Sequence, residues 1–303
     1  MGAARGPDTF SNPDAPVTLG VGKNMVNAIR YWGLAYKVLE ERSDPDRPRL
    51  PHTVVSSFGE ALLGDGGWDP YLEDEGSLWL LHWMLMRAPC LVPAWWIAFN
   101  AFSNQQWDEE LLASHIDRLV RTLPGWPGIV HSSIRKDVNC LVRTLAPRKE
   151  GRQGLDDVID SPFRELHLLE AAPGEAREVR FTHGTRAGLP DEILTFAALD
   201  FAASRARTAN SITLPTLCRD PGSPGLVFKL SEEAIHLGLE GVARENDKLH
   251  LAEPAGLRQV LFDGPAGDIG LSILSNYYRR RTGSRVRVNG AIIGKSSGRV
   301  TVR

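Results

Sequence analysis

Three aspartates and three basic residues lie close together near the middle of the chain. They are Asp156, Asp157 and Asp160, preceded by Arg148, Lys149 and Arg152. Clustered carboxylates are typical ligands of Mg²⁺, and a bound metal ion can polarise a phosphoryl oxygen during hydrolysis. We therefore interpret the aspartates as candidate catalytic residues, with Asp156 and Asp157 as metal ligands. The alternative is an ordinary capped turn, because the sequence Asp160-Ser161-Pro162 is typical of the start of a helix.

Two amphipathic segments carry basic and amide side chains opposite an apolar stripe. These side chains are Lys23, Asn24, Asn27 and Arg30 in the first segment, and Arg135, Lys136, Asn139 and Arg143 in the second. Arginine and asparagine bind the edges of guanine and adenine through two hydrogen bonds, whereas many basic residues contact phosphates only. Both faces are therefore candidate DNA-contacting surfaces, and Arg148, Lys149 and Arg152 are candidate phosphate contacts.

The first segment is predicted to be the second helix of a helix-turn-helix unit. Its apolar residues recur at three- and four-residue steps, which places them on one face of a helix. They are Met25, Ile29, Trp32, Tyr36 and Leu39, and we expect this stripe to be buried. A buried stripe with a polar outer face suits a helix that lies in a groove of DNA, although an ordinary surface helix has the same pattern.

The Gly22-Lys23 pair does not form a nucleotide-binding loop. A P-loop needs a second glycine earlier in the loop and a serine or threonine directly after the lysine. These two positions hold Val17 and Asn24. A Walker-type phosphate site is therefore not predicted.

Composition excludes several classes of protein. The length of 303 residues predicts two or three compact units. The net charge of −2 excludes a protein that is strongly basic overall, as many nucleic-acid-binding proteins are. Its cysteines form no CxxC pair, so we expect reduced thiols in a cytoplasmic protein rather than disulfides or a zinc finger. The apolar segment 78–102 is interrupted by prolines and an arginine, so we expect no membrane span.

The order of elements predicts a mainly α (α+β) protein, built of tandem winged-helix or helix-turn-helix-like units with short β-hairpins. We expect helices at residues 75–86, 93–102, 108–123 and 270–278, and a hairpin at residues 166–169 and 178–181. A wing-like strand is expected at residues 227–230, before a helix capped by Ser231. The predicted domains are residues 1–125, 126–187 and 188–278, followed by a basic tail at residues 279–303.

Five segments occur in an order that resembles a known bacterial family. They are LGVGKNMVNAIRYW, LLGDGGWDPYLEDEGSLWLLHW, PAWWIAFNAF, KDVNCLVRTLAPRK and DSPFREL. Together they resemble the SspB-like proteins, which are found beside PAPS-reductase-like genes in systems that place phosphorothioate linkages in DNA. The resemblance implies a role in sulfur modification of DNA and in antiphage defence. It also implies nicking of one DNA strand, beside an ATPase and a sulfur-transfer enzyme.

These observations together predict a DNA-binding, strand-nicking protein that acts on double-stranded DNA and uses Mg²⁺ if it cuts. The main alternative is a non-catalytic adaptor or regulator that binds DNA and recruits the sulfur-transfer enzymes. A third hypothesis is a protein-binding scaffold with its tryptophan-rich half as the interface. A homodimer is the assembly to test, because two-fold dimers are the commonest oligomers.

Overall fold

More than half of the residues that the structure describes are helical, and the strands among them are short and antiparallel. The computed structural model describes residues 9–43, 52–123, 129–147, 161–173, 178–206 and 208–283. The α-helices are α1 (Ala15–Leu19), α2 (Lys23–Ala35), α3 (Ser57–Leu63), α4 (Glu75–Met86), α5 (Pro93–Asn100), α6 (Glu109–Thr122), α7 (His131–Leu145), α8 (Asp191–Arg205), α9 (Leu214–Arg219), α10 (Pro224–Val227), α11 (Glu232–Ala243) and α12 (Ala266–Thr282). The β-strands are β1 (Leu39–Arg42), β2 (His52–Val55), β3 (Leu169–Ala171), β4 (Val179–Phe181), β5 (Ser211–Thr213), β6 (Leu249–Ala252) and β7 (Gln259–Phe262). The predicted mainly helical α+β class is confirmed.

The chain forms two compact units, each with its own apolar core. Unit 1 is Met1–Leu91 together with Gly270–Arg303, and unit 2 is Val92–Ile269. Helix α12 therefore begins in unit 2 and continues in unit 1. The predicted division into three domains, with boundaries at residues 125 and 187, stays a prediction.

Helix α4 forms the centre of the unit 1 core. Its residues from Gly76 to Met86 are all buried, because the helix is apolar around its whole circumference. The predicted bounds of 75–86 are confirmed, and Asp74 caps the helix by accepting a hydrogen bond from the Gly76 amide. No helix in the described part of the chain combines the length and apolar character that a bilayer crossing requires.

Unit 2 contains a three-stranded antiparallel sheet with the strand order β5-β7-β6. Helix α8 precedes this sheet, three helices (α9, α10 and α11) lie between β5 and β6 in sequence, and β6 and β7 form the closing hairpin. The winged-helix-like unit predicted at residues 188–278 stays a prediction. As predicted, Ser231 caps α11, because its side chain accepts a hydrogen bond from the Ala234 amide.

The other two sheets are two-stranded hairpins. Strands β3 and β4 pair in the register Leu169 with Phe181 and Ala171 with Val179, which confirms the hairpin predicted in this region. Strands β1 and β2 pair on either side of residues 44–51, and the sequence analysis did not predict this hairpin. Each hairpin therefore follows a helix, as α2 precedes β1 and α7 precedes β3.

The predicted strand at residues 227–230 is wrong. Ser223 caps a short helix there, and Pro224 occupies its first turn, so α10 ends at Val227. Lys229 then takes a left-handed backbone conformation, with φ of 56°, which no strand allows. The β-branched and aromatic residues that favoured a strand are instead buried in the core, as Val227 and Phe228 are.

The last helix is longer than the predicted 270–278. It extends to Thr282, so the predicted basic tail begins inside a helix, with Arg279, Arg280 and Arg281 in the last turn. Basic side chains in this position interact favourably with the partial negative charge of the helix C-terminus. The tail from residue 284 lies outside the described residues.

Candidate DNA interface

Helices α1 and α2 are joined by a tight turn that contains two glycines. Gly20 ends α1 in the left-handed conformation, with φ of 68°, which glycine adopts at the lowest cost. Helix α2 begins at Lys23, only two residues after Val21. Two helices joined by a short glycine-containing turn are the basic form of a helix-turn-helix, and the β1–β2 hairpin follows directly.

The buried side of α2 differs from the predicted one. Val26 and Gly33 are buried, and Gly33 lies against Leu39 so closely that any side chain there would collide with it. Met25 and Ile29 are 56% and 43% exposed, so the prediction that they belong to a buried stripe is wrong. Apolar residues occur at helical spacing on more than one side of α2, so their periodicity alone does not specify the buried side. Packing against β1 decides which side faces inward.

The exposed side of α2 carries most of the predicted DNA-contacting residues of this helix. Lys23, Asn24 and Asn27 are exposed. Arg30 is partly tied to the hairpin, because its Nε donates to Thr53 Oγ1 at 2.9 Å and its guanidinium pairs with Glu41. The sequence of α2 contains no acidic residue, so nothing within the helix cancels the charge of Lys23.

The predicted face of α7 is partly neutralised by its neighbour α6. Arg135 Nε lies 3.2 Å from Glu110 Oε2, and the Asn139 amide donates to both carboxylate oxygens of Glu109 at 3.1 Å. Lys136 and Arg143 are exposed. Exposed ion pairs contribute only about 0–1 kcal/mol to stability, so Arg135 can readily exchange its carboxylate partner for a phosphate. While the pair is formed, it lowers the positive potential that attracts DNA.

Comparison with known proteins identifies the family. The family model DUF4007, described as a protein of unknown function, matches residues 2–278. The chain belongs to the DUF4007 family. Two solved structures of SspB are similar to it, one of them described as magnesium-ion-bound. The magnesium-ion-bound structure aligns with a TM-score of 0.86 and the other with 0.85. Each SspB chain is 38% identical in sequence to this chain, and each alignment covers 94% of this chain and 83% of the SspB chain. No curated protein sequence matches.

The predicted catalytic and metal-binding residues of this DUF4007 protein fall in a segment between helix α7 and strand β3. Asp156, Asp157 and Asp160 lie outside the described residues, as do the predicted phosphate contacts Arg148, Lys149 and Arg152. Within the described ranges, no group of three or more His, Cys, Asp or Glu side chains is close enough to hold a metal ion. All these assignments stay predictions.

Two buried carboxylates in unit 1 do not fit Mg²⁺, because their oxygens are already engaged. Asp69 accepts hydrogen bonds from the Glu73 and Asp74 amides and from Ser77 Oγ at 2.6 Å. Asp74 accepts from three groups, which are the Gly76 amide, Tyr277 Oη at 2.5 Å and Arg281 Nε at 2.8 Å. Asp74 therefore fastens α12 to the start of α4, while Asp69 holds the residues that lead into α4. The sequence analysis gave no signal for the tyrosine and arginine partners.

A cavity of about 420 Å³ opens beside this network and includes Trp68, Tyr71 and Glu73 in its wall. Tyr71 is 81% exposed at this site. The acidic side chains of Asp69 and Glu73 in the wall disfavour a phosphate group. The cavity therefore does not extend the candidate DNA surface of α2.

Lys229, in unit 2, is a buried lysine whose pKa is strongly lowered. Its Nζ donates to the Phe99 carbonyl oxygen at 2.7 Å and lies 4.2 Å from the centroid of the Phe181 ring. Burial, and secondarily the charge of Arg186, lowers the pKa of Lys229 to about 7. This amine is inaccessible to DNA, so its effect is expected on stability.

Proposed function

We propose that this protein is the DNA-binding, strand-nicking component of a DNA phosphorothioate modification and antiphage defence system. The observation that carries the proposal is the similarity to SspB, which extends over 94% of the chain at 38% identity. SspB-like proteins are the family that the sequence segments resemble, and that family implies this role. In such a system the nick opens the backbone for sulfur insertion.

The first turn of α2 supports DNA contact. Lys23 is the first residue of the helix, and Gly22 before it offers no capping side chain. A positive charge at a helix N-terminus interacts unfavourably with the helix dipole, so Lys23 lowers the stability of α2. Locally unfavourable residues of this kind are expected at functional sites. The same uncapped amides and the lysine suit a DNA phosphate.

Cleavage is assigned to the predicted aspartates. We propose Asp156, Asp157 and Asp160 as catalytic residues, with Asp156 and Asp157 binding Mg²⁺. A bound magnesium ion supplies Lewis-acid stabilisation of the phosphoryl oxygens and a more acidic water. The magnesium-ion-bound SspB structure supports this choice of metal.

The partners follow from the same role. We propose double-stranded DNA as substrate, and the ATPase and PAPS-reductase-like sulfur-transfer proteins of the same system as protein partners. A homodimer is the assembly to test first. The protein is proposed to act in the cytoplasm, where its DNA substrate and reduced thiols are both expected.

The alternative is a non-catalytic adaptor that binds DNA and recruits the sulfur-transfer enzymes. The exposed basic and amide side chains of α2 support this function equally well, because they need no cleavage chemistry. Nicking by the purified protein distinguishes the two functions.

The test is incubation of the purified protein with supercoiled plasmid, with Mg²⁺ or with EDTA, followed by measurement of open-circular DNA. We expect nicking with Mg²⁺ that is lost in the Asp156→Asn, Asp157→Asn, Asp160→Asn variant. The matched control removes three exposed carboxylates elsewhere, by Asp65→Asn, Glu73→Gln and Glu75→Gln, and is expected to nick normally. Salt-sensitive DNA binding without any nicking would favour the adaptor. Nicking that survives in the aspartate variant would discard these residues but keep the function.

A further inference from the structure

The cavity of unit 1 has no role in the proposed DNA binding. Its wall consists of residues 66–71 and Glu73, from the loop between α3 and α4, together with Thr282 and Gly283 at the end of α12. All of these residues belong to unit 1. The volume of about 420 Å³ lies in the range of pockets that bind small molecules or single side chains.

The surroundings of this cavity are acidic. Asp69 and Glu73 lie in the wall, while Asp65 in the same loop and Glu75 at the start of α4 are exposed. Residues 57–86 contain no lysine or arginine. The last carbonyl groups of α12 add the partial negative charge of a helix C-terminus. The cavity therefore favours a cation.

Two arginines in the last turn of α12 are engaged elsewhere. Arg281 Nε donates to Asp74 Oδ2 at 2.8 Å, and Arg279 Nη2 donates to Asn276 Oδ1 at 2.5 Å. Within the described residues, the Glu73 carboxylate has no ion-pair partner. This carboxylate is therefore available to a cation that enters from outside.

Tyr71 gives the cavity an exposed aromatic wall. The residue is 81% exposed, and Leu72 beside it is 36% exposed. The face of an aromatic ring attracts a cation, and the planar guanidinium of arginine both stacks on such a ring and binds a carboxylate. Exposed neighbouring apolar residues suit a peptide segment better than an inorganic ion, and tyrosine and arginine are enriched where proteins bind each other.

Trp68 provides an independent observation in the same wall. The residue is wholly buried, and its Nε1 has no hydrogen-bond partner within the described part of the chain. A buried donor normally has an acceptor. A peptide backbone supplies carbonyl oxygens of the kind this donor lacks, whereas a metal ion supplies none.

We propose that this cavity is the docking site for an arginine side chain of a protein partner, with its guanidinium stacked on Tyr71 and paired with Glu73. The partner is a protein segment of positive charge, which complements the acidic wall. The inference goes beyond the proposed DNA nicking and does not depend on it, because none of these residues belongs to the proposed DNA surface.

The test uses a short peptide as the probe. Acetyl-Gly-Arg-Gly-amide is titrated into the full chain labelled with ¹⁵N-glycine, and the amide signals of Gly66, Gly67 and Gly283 are followed by NMR. The control peptide contains citrulline, which has the shape of arginine without its charge. We expect the arginine peptide to shift these three signals and to bind about tenfold more tightly than the citrulline peptide. The difference should shrink at high salt.

Variants separate the ring from the hydroxyl group and locate the charge. Tyr71→Leu and Glu73→Gln should each weaken binding of the arginine peptide by about fivefold, whereas Tyr71→Phe keeps the ring and should bind as the natural protein does. The matched control elsewhere is Leu237→Ala with Glu240→Gln, which removes an exposed apolar side chain and a carboxylate from α11. This control should bind the peptide normally.

Each contrary outcome would overturn the docking site. Equal binding of the two peptides, or shifts confined to other glycines, would show that no arginine enters the cavity. Peptide binding that appears only after Arg285→Ala with Arg287→Ala would assign the cavity to this chain's own arginines. Because the assay contains no DNA, its failure leaves the proposed nicking intact, and a failure to nick plasmid leaves the docking site intact.

Discussion

Helices α2 and α11 occupy similar places in the two units, since each is followed along the chain by a two-stranded hairpin, but their first turns differ in chemistry. Helix α11 starts with the capping residue Ser231 and the acidic Glu232 and Glu233, which all stabilise a helix N-terminus. Helix α2 starts with Gly22, which has no side chain to cap the helix, and with Lys23, whose charge opposes the helix dipole. This difference is the one expected if α11 serves stability and α2 serves the proposed DNA binding.

The acidic residues of α11 are also balanced by arginines. Glu232 Oε2 lies 3.1 Å from Arg219 Nη2, and Glu233 Oε2 lies 2.8 Å from Arg258 Nη1. Glu240 forms an ion pair with Arg244, four residues later in the sequence. A surface of ion pairs with acidic residues in the first turn does not attract a phosphate backbone. The predictions below therefore assign DNA affinity to α2, a small part to α7, and none to α11.

The largest effect is expected when the first turn of α2 is given the chemistry of α11. The Lys23→Glu, Asn24→Asp variant places two carboxylates where phosphates are proposed to bind. We expect about a hundredfold weaker DNA binding and a salt dependence reduced by about one phosphate contact. Helix stability should rise slightly, because acidic residues favour an N-terminus. Fluorescence anisotropy across a salt series measures the first effect, and thermal unfolding measures the second. Affinity within twofold of the natural protein would remove α2 from the interface.

The next effect concerns the stability of unit 2, where a buried lysine is expected to act on folding alone. The pKa of Lys229 is lowered from 10.5 to about 7 in the folded state. The unfolded chain therefore binds more protons between these pH values, so the stability contribution is largest above pH 10.5 and is lost as the pH falls to 7. From pH 7 to pH 9 we expect the free energy of unfolding to rise by about 2 kcal/mol through this group.

The Lys229→Met variant tests this assignment. It should lack that part of the pH dependence and be more stable than the natural protein at pH 7, because the buried charge is gone. Its DNA affinity should be unchanged. Chemical denaturation at several pH values measures the first two results, and a pH profile identical to that of the natural protein would contradict them.

A smaller effect is expected at α7. Glu110 pairs with Arg135 and Glu109 accepts hydrogen bonds from the uncharged Asn139, so Glu109→Gln with Glu110→Gln removes two negative charges and should make this face more positive. We expect about threefold tighter DNA binding, measured by anisotropy, since each exposed pair contributes little. The control is Glu73→Gln with Glu75→Gln, which changes net charge equally at exposed positions. An equal gain in both variants would show that only net charge matters, and that α7 does not contact DNA.

The smallest effect is expected at α11. Glu233→Gln with Glu240→Gln removes two acidic side chains from its exposed side, yet DNA affinity should change by less than twofold because α11 is proposed to lie away from DNA. The same anisotropy assay measures it. A tenfold gain would mean that α11 approaches DNA and that its acidic residues oppose binding.

Some features of the candidate DNA surface could be predicted from the sequence, and others could not. Lys23, Asn24 and Asn27 of α2 are exposed, as their places outside the apolar stripe predicted, whereas Arg30 is half-buried and bound to the β1–β2 hairpin. Met25 and Ile29 were expected inside, because spacing specifies a stripe but not the partner that covers it. The partners of Asn139 and Arg135 on α6 were also missed, since no local pattern pairs residues on different helices.

The sequence by itself determined the bounds of α4 and the N-terminal cap of α11, but not the bounds of every helix, since α12 is longer than predicted. Caps such as Asp74 and Ser231 act within a few residues, so α4 was predicted with correct bounds and the cap of α11 was identified. Tertiary structure decided which side of α2 is buried, and why residues 227–230 form no strand. It also decided that Asp74 binds Tyr277 and Arg281 across more than two hundred residues. Local signals arise from neighbouring residues, whereas burial and long-range hydrogen bonds need a packed partner that only the complete fold supplies.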